Sequence, residues 1–277
     1  MSVDSDIPQK LNQGPSDHGK SLASKPEKPD HGESLAGKLE KPDHGESLAG
    51  KPEKPDCVFL ILGAGASKDS GLQTYRGKGG YYEGKEYNVE TILSTSNPLE
   101  NIWTFLKPLY EEISKHSPGK TYDLIKKLGK VYPKSFILTQ NIDGYALSTG
   151  LPVVELHGTA KTMTCFGCNK SKPSNPDDYL CECGKGYRPD VVLFGEKLSQ
   201  PKVQEIYSLI KRRPNYVLII GTSLQFAYLR TFVTKAKQRG AIIIHINPDE
   251  SYTDNVRKRE MWYDVPASEG LEKFLTE

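Results

Sequence analysis

The sequence predicts an α/β protein, a Rossmann-like doubly wound parallel sheet with a small metal-binding module and a cofactor-binding loop, preceded by a disordered N-terminal tail. Three observations predict it. Short apolar runs alternate with segments of helical periodicity, the pattern of a sheet covered on both faces. The first of those runs, Val58-Phe59-Leu60-Ile61-Leu62, passes directly into Gly63-Ala64-Gly65, a turn suited to a phosphate group at the carboxyl end of a strand. Four of the five cysteines lie between Cys165 and Cys183, in a polar stretch where a buried core is not expected.

The tail comes first in the chain. Residues 17–29, 30–42 and 43–55 are three copies of one 13-residue unit, Asp-His-Gly-Glu-Ser-Leu-Ala-Gly-Lys-Pro-Glu-Lys-Pro in outline, and no aromatic residue occurs before Cys57. Such a segment buries too little apolar surface to offset its chain entropy, so residues 1–56 are expected to be disordered. The period is too short for the common solenoids. Duplication explains the even spacing of His18, His31 and His44 without a metal. The tail holds eight lysines against eleven acids, which leaves the body mildly basic within a net charge of +2. That balance gives no reason to expect direct nucleic-acid binding.

Residues 57–277 are expected to form the folded domain. Its predicted strands are Val58–Leu62, Phe136–Thr139, Val153–Leu156, Tyr216–Ile220 and Ala241–Ile246. Ile102, Phe105, Leu106, Leu109 and Ile113 recur at helical spacing, as do Leu124, Ile125 and Leu128, and Tyr228–Gln238 runs into Gly240 as a stop. Gly63, Gln140, His157, Gly221 and Asn247 each fall just beyond a predicted strand, where ligands of such sheets bind. Two insertions interrupt the alternation. One, from Gly71 to about Pro98, is rich in glycine and tyrosine and is expected to cover the cofactor; the other is the cysteine module, about residues 164–187.

Gly63 and Gly65 would allow close backbone approach to a pyrophosphate, with the amides of the following helix pointing at it. Lys68 stands where the third glycine of the dinucleotide fingerprint belongs, so this motif alone reads equally well as a tight turn. Cys165-x2-Cys168 and Cys181-x-Cys183 supply the four thiolates of a tetrahedral zinc, one per chain, with no open position and therefore a structural role. Few cysteines, all read as metal-bound or buried, fit a reducing compartment. The absence of an apolar leader or long apolar run gives the expectation of a soluble, cytoplasmic protein, the nucleus not excluded, away from membranes. Cys57 and His245 read as core residues, and His116 as a cation at a helix C-terminus.

Taken in order, the glycine turn, Thr139-Gln140-Asn141-Ile142-Asp143-Gly144, Glu155-Leu156-His157-Gly158, the cysteines, Phe194-Gly195-Glu196, Gly221-Thr222-Ser223 and Asn247-Pro248 resemble the sirtuins, NAD-dependent protein deacylases. The resemblance runs from about Cys57 to the C-terminus. It implies His157 as general base and Asn141 beside it as catalytic. It implies NAD contacts from Gly63, Ala64, Gly65, Ser67, Thr74, Tyr75 and Arg76, from Gln140, Asn141 and Asp143, and from Gly221, Thr222, Ser223 and Asn247. Gln140 and Asn141 would meet the nicotinamide ribose, and Asp143 the carboxamide. Val192, Phe194 and Gly195 would pair with the substrate as an added strand while the acylated lysine enters an apolar tunnel. Sirtuins usually show Cys-x-x-Cys in the second knuckle; here Leu180 occupies the expected place, which bears on the metal geometry.

The implied reaction moves the acyl group of a lysine to ADP-ribose and releases nicotinamide. It needs a base near neutral pH for a ribose hydroxyl, and only imidazole titrates there unperturbed. Two alternatives share the pocket: mono-ADP-ribosylation or NAD hydrolysis, and a catalytically silent NAD or ADP-ribose sensor. Leu72-Gln73-Thr74-Tyr75-Arg76 looks like the branch that removes succinyl groups, yet alignment on Trp103-Thr104-Phe105 puts Leu106 and Leu109 where that branch has a tyrosine and an arginine. Two leucines do not stabilise a carboxylate, so neutral acyl groups are expected, with Lys107 the only nearby cation.

Overall fold

The computed structural model describes residues 55–74, 80, 97–193, 195–248 and 260–276. The first 54 residues of the expected tail, and most of the insertion after Gly71, lie outside them. In chain order the strands are β1 (Val58–Leu62), β2 (Phe136–Thr139), β3 (Val153–Glu155), β4 (Gly158–Cys165), β5 (Ser171–Pro173), β6 (Tyr187–Val191), β7 (Tyr216–Ile220), β8 (Ile242–Ile246) and β9 (Met261–Tyr263). The α-helices are α1 (Pro98–Lys115), α2 (Lys120–Val131), α3 (Gln200–Ile210), α4 (Ala227–Lys237) and α5 (Ala267–Thr276).

Six strands form a parallel sheet in the order β3-β2-β1-β7-β8-β9. With the inserted strands set aside, this is the 3-2-1-4-5-6 order of doubly wound nucleotide-binding sheets. All five residues of β1 are fully buried, and they alternate between two cores. Val58, Leu60 and Leu62 pack with Ile102 of α1, Ile125 of α2 and Leu271 of α5. Phe59 and Ile61 pack with Ile206 of α3 and Phe232 of α4. The period of two along a strand thus places three helices on one face and two on the other.

The strand order reverses between β1 and β7, where Leu62 lies beside Ile220. Two hydrogen bonds extend this pairing past the strand ends: the Gly63 amide donates to Ile220 O at 2.9 Å and the Gly65 amide to Gly221 O at 3.0 Å. The segment after Gly63 is not the expected α-helix but a 3-10 helix, Ala64–Ser70. Gly71, at φ 91°, stops it by turning into the left-handed region and bonding back to Lys68 O and Ser67 O.

In the main sheet and its covering helices, α3, α5 and the edge strand β9 escaped the sequence reading, and so did the strands of the inserted module. The inserted module is an antiparallel sheet ordered β5-β4-β6. It has its own small core of Met163, Cys165, Cys181 and Tyr187 against Trp103 of α1, whose indole N–H donates to Tyr187 O at 2.8 Å. Cys57 is buried in the sheet's core, and burial pushes its thiol up to about 11. His245 is mostly buried, as expected; its Nε2 lies 2.9 Å from Glu260, and its ring stacks on Trp262.

Candidate active site

A cavity of about 1240 Å³ opens where the carboxyl ends of β1, β2, β7 and β8 meet. Gly63, Ala64, Gly65 and Thr74 line it from the first turn, Gln140, Asn141 and His157 from the next two, and Gly221, Thr222, Ser223 and Asn247 from the far side. Val192 and Gly195 line it as well. Tyr75, Arg76 and Phe194 lie outside the described residues. Ser67 and Asp143 do not reach the wall: they are 2% and 4% exposed and sit behind it.

The glycines serve the meeting of two turns. A Cβ on Gly63 would stand 2.5 Å from Thr222 Cβ, and one on Gly65 would stand 2.6 Å from Gly221 Cα. Gly221 itself has φ 59° and touches Gly65 in return. The pair is therefore required by contact between the β1 and β7 turns, whatever ligand lies above them.

Behind the wall is a closed polar cluster. The Ser67 hydroxyl donates to Asp143 Oδ2 at 2.6 Å, so its oxygen is left to accept from Tyr122 Oη at 2.6 Å and from Asn141 Nδ2 at 3.1 Å. Asn141 Nδ2 also donates to Gly63 O at 3.0 Å, and Asp143 Oδ1 accepts from the Tyr145 amide at 2.9 Å. Burial pushes the Asp143 carboxyl above the usual carboxylate range, opposed by the bonds from Ser67 and Tyr145. Asn141 Oδ1 is buried with no partner, although its residue lines the cavity. An acceptor in that position fits a ligand donor such as a ribose hydroxyl or a carboxamide.

The ring of His157 is half-buried. Its Nδ1 lies 2.9 Å from Gln140 O, and a carbonyl only accepts, so Nδ1 carries the proton. In the neutral ring Nε2 is then the acceptor, and it takes the Tyr228 hydroxyl at 2.7 Å. Burial holds the imidazole below its ordinary value of 6.5, which keeps it neutral at pH 7. Gln140 in turn donates from Nε2 to Thr222 Oγ1 at 2.8 Å, tying the end of β2 to the end of β7.

Phe105, Leu106, Leu109, Leu193 and Phe226 give the cavity an apolar wall. Lys107 is turned away from it and pairs with Asp177 at 2.5 Å.

The four cysteine sulfurs lie within 4.8 Å of one another, with Cys165 and Cys183 at 3.5 Å and Cys168 and Cys181 at 3.7 Å. A tetrahedral zinc with bonds of about 2.3 Å requires sulfurs about 3.8 Å apart, so the set fits. The shortened second knuckle reaches this geometry because Gly184, at φ 80°, turns sharply while its amide donates to Cys181 O at 3.0 Å. The nucleotide cavity fits NAD by the same kind of test: its volume, the orphaned Asn141 acceptor and its place at the switch point.

Sequence reasoning missed Tyr228 and Tyr122. Tyr228 lies a few residues beyond the Gly221-Thr222-Ser223 motif, and only the start of α4 brings its hydroxyl to His157. No spacing in the sequence signals that contact.

The Sir2 family model matches residues 63–227. NAD-dependent protein deacylase 2 of Pseudomonas syringae pv. tomato is 30% identical, over 79% of this chain and 94% of its own length. NAD-dependent protein deacylase 1 of Caldanaerobacter subterraneus subsp. tengcongensis is 33% identical, over 78% and 91% respectively. A solved Sir2 homologue–NAD complex is 27% identical with a TM-score of 0.67, covering 79% of this chain and 88% of that one. Another solved Sir2, with a deacetylated p53 peptide and 3′-O-acetyl ADP-ribose, is 25% identical with a TM-score of 0.67, covering 79% and 92%. The family model covers more than half of the chain, and within its span lie His157 on the cavity wall and the four-cysteine module: the chain belongs to the Sir2 family.

Proposed function

We infer that this protein is an NAD-dependent protein-lysine deacylase, a reading carried by one observation: a neutral histidine of fixed tautomer, His157, stands on the wall of the switch-point cavity beside the unpaired Asn141 acceptor. When bound, NAD supplies a ribose from which nicotinamide departs and whose hydroxyl accepts the acyl group. His157 accepts the proton of that hydroxyl, and the bond from Nδ1 to Gln140 O holds the resulting imidazolium. Asn141 and Gln140 orient the ribose. Ser67, Asp143 and Tyr122 act one step back, holding Asn141 in place. Gly63, Ala64, Gly65, Thr74, Gly221, Thr222, Ser223 and Asn247 seat the rest of the dinucleotide.

The acylated lysine enters along the apolar wall of Phe105, Leu106 and Leu109, which favours neutral acyl groups. Beyond the end of β6, Val192 and Gly195 line the cavity where the peptide would pair backbone to backbone, and the Val192 amide donates to His157 O at 2.8 Å. The cysteine module holds a structural zinc. A tail of low apolar content and an intracellular, membrane-free setting complete the reading; among the described residues no helix is long and apolar enough to cross a membrane.

Incubation with an acetylated peptide, with and without NAD, tests this by mass spectrometry. Free lysine peptide together with acetyl-ADP-ribose is expected, only with NAD. ADP-ribosylated peptide, or free ADP-ribose with the peptide unchanged, would favour the alternative chemistries, and no NAD-dependent product would mark a sensor.

A further inference from the structure

We propose that Tyr228 is a proton-relay residue, passing the proton of the acyl-accepting hydroxyl to His157. The inference rests on the deacylase reading and adds a residue to it. Its starting point is the lone pair of His157. Because Nδ1–H is committed to Gln140 O at 2.9 Å, Nε2 is the only basic atom of the neutral ring, and the Tyr228 hydroxyl already occupies it at 2.7 Å. A second donor has no place there while that bond stands.

Two routes lead out of this arrangement: the phenol swings off, or it transmits the proton. Packing favours the second. The Tyr228 ring stacks on Phe226 with centroids 5.3 Å apart and an 11° interplanar angle, meets the His157 ring edge-on at 6.2 Å, and rests against Phe232 at 6.4 Å. Its backbone is the second residue of α4. A ring held by three aromatic neighbours and a helix does not leave without breaking those contacts. Tyr228 also lines the cavity in which that hydroxyl would be bound.

The step balances in one transfer. The hydroxyl's O–H bond breaks and its proton bonds to Tyr228 Oη, while the original Tyr228 proton moves to His157 Nε2. The phenol ends neutral, the imidazole ends as imidazolium, and the electron pair left on the hydroxyl oxygen forms its bond to the acyl carbon as the π pair of that carbon's double bond moves onto the heteroatom it joins. Burial pushes Tyr228 up to about 12, so it holds its proton in the resting enzyme as the relay requires. The groups acting on His157 are the Gln140 carbonyl, the Tyr228 phenol and, from α3, the Lys202 ammonium, which donates to Glu155 O at 2.7 Å. Of these contacts, Tyr228→Phe removes only that of the phenol.

The test is therefore Tyr228→Phe, which deletes one oxygen and retains the ring packing. Two readouts are needed. NMR titration of His157 in the unliganded protein is expected to show a higher pKa in Y228F, because the lost donor favoured the neutral ring. Steady-state deacylation is expected to fall about 10- to 100-fold in kcat, with KM for NAD and peptide within about twofold of the parent. An unchanged or increased kcat would overturn the relay and make the phenol a plug that substrate displaces. An unchanged His157 pKa would show that the bond to Nε2 is not made. Failure of the underlying reading looks different, since the parent protein would then give no acetyl-ADP-ribose from an acetylated peptide and NAD, whatever Tyr228 does.

Discussion

The parallel sheet and the cysteine module position their key groups by opposite means. At the sheet's carboxyl end, Gln140 and Thr222 are set by β2 and β7, whose residues are almost all buried, with two cores behind them. The module offers only a handful of buried residues beside Trp103, and two of its four cysteines are exposed. A sheet that buries two complete layers tolerates a lost methyl group at a bounded cost. A module of this size depends on its metal for its shape, because structural zinc energy is folding energy.

Removing a sulfur tests the contrast hardest. Cys165→Ala is expected to abolish zinc binding and unfold the module, taking peptide deacylation with it, since β6 leads directly into the cavity residues Val192 and Leu193. Metal analysis and activity on one preparation check this. A variant with full activity and no zinc would remove the metal from the account.

Next in size is the sheet's response. Leu60→Ala, in the fully buried centre of β1, is expected to cost about 2 to 5 kcal/mol in denaturant unfolding, with the zinc content unchanged. Loss of zinc in that variant would mean that the two regions fold as one unit and that the contrast is false.

The acyl wall comes third. On one peptide, kcat/KM for an acetyl or longer aliphatic group is expected to exceed that for succinyl by about 10-fold or more, because Leu106 and Leu109 offer a carboxylate no partner. Lys107, paired with Asp177 away from the cavity, does not rescue the acid. A succinyl rate above the acetyl rate would contradict this.

The smallest effect belongs to the tail. Deleting residues 1–54 is expected to leave both Tm and turnover on a short peptide unchanged, since three copies of a charged, proline-rich unit bring no core. A clear fall in Tm would show that the tail packs on the body.

The same contrast decides which parts of the molecule were legible in the sequence. Buried parallel strands announce themselves as apolar runs, so β1, β2, β7 and β8 were readable almost to the residue, and with them the turns that carry Gly63, Gln140 and Gly221. β9 is three half-exposed residues at a sheet edge, and α3 has a mixed pattern behind Pro201, so neither stood out. The metal site was legible because thiolate spacing is local, even with the shortened Cys181-x-Cys183 knuckle. Ser67 and Asp143 were recognisable as motif residues, but their place behind Asn141 depends on Tyr122, fifty-five positions from Ser67. Tyr228 was invisible for the same reason, its bond to His157 spanning 71 positions. Contacts between distant side chains leave no periodicity to read.

The proposed chemistry converges on the imidazole at the edge of the cavity, and its most direct test is turnover by His157→Ala. Burial holds His157 below its ordinary value, so wild-type activity should persist below pH 6.5 as pH falls and be lost only when the ring takes a proton. The alanine variant should bind NAD with near-parental affinity yet deacylate an acetylated peptide at a rate lower by about 10² to 10⁴. Turnover at the wild-type rate, with the fold and NAD binding intact, would contradict the assignment of the base and with it the proposed reaction path.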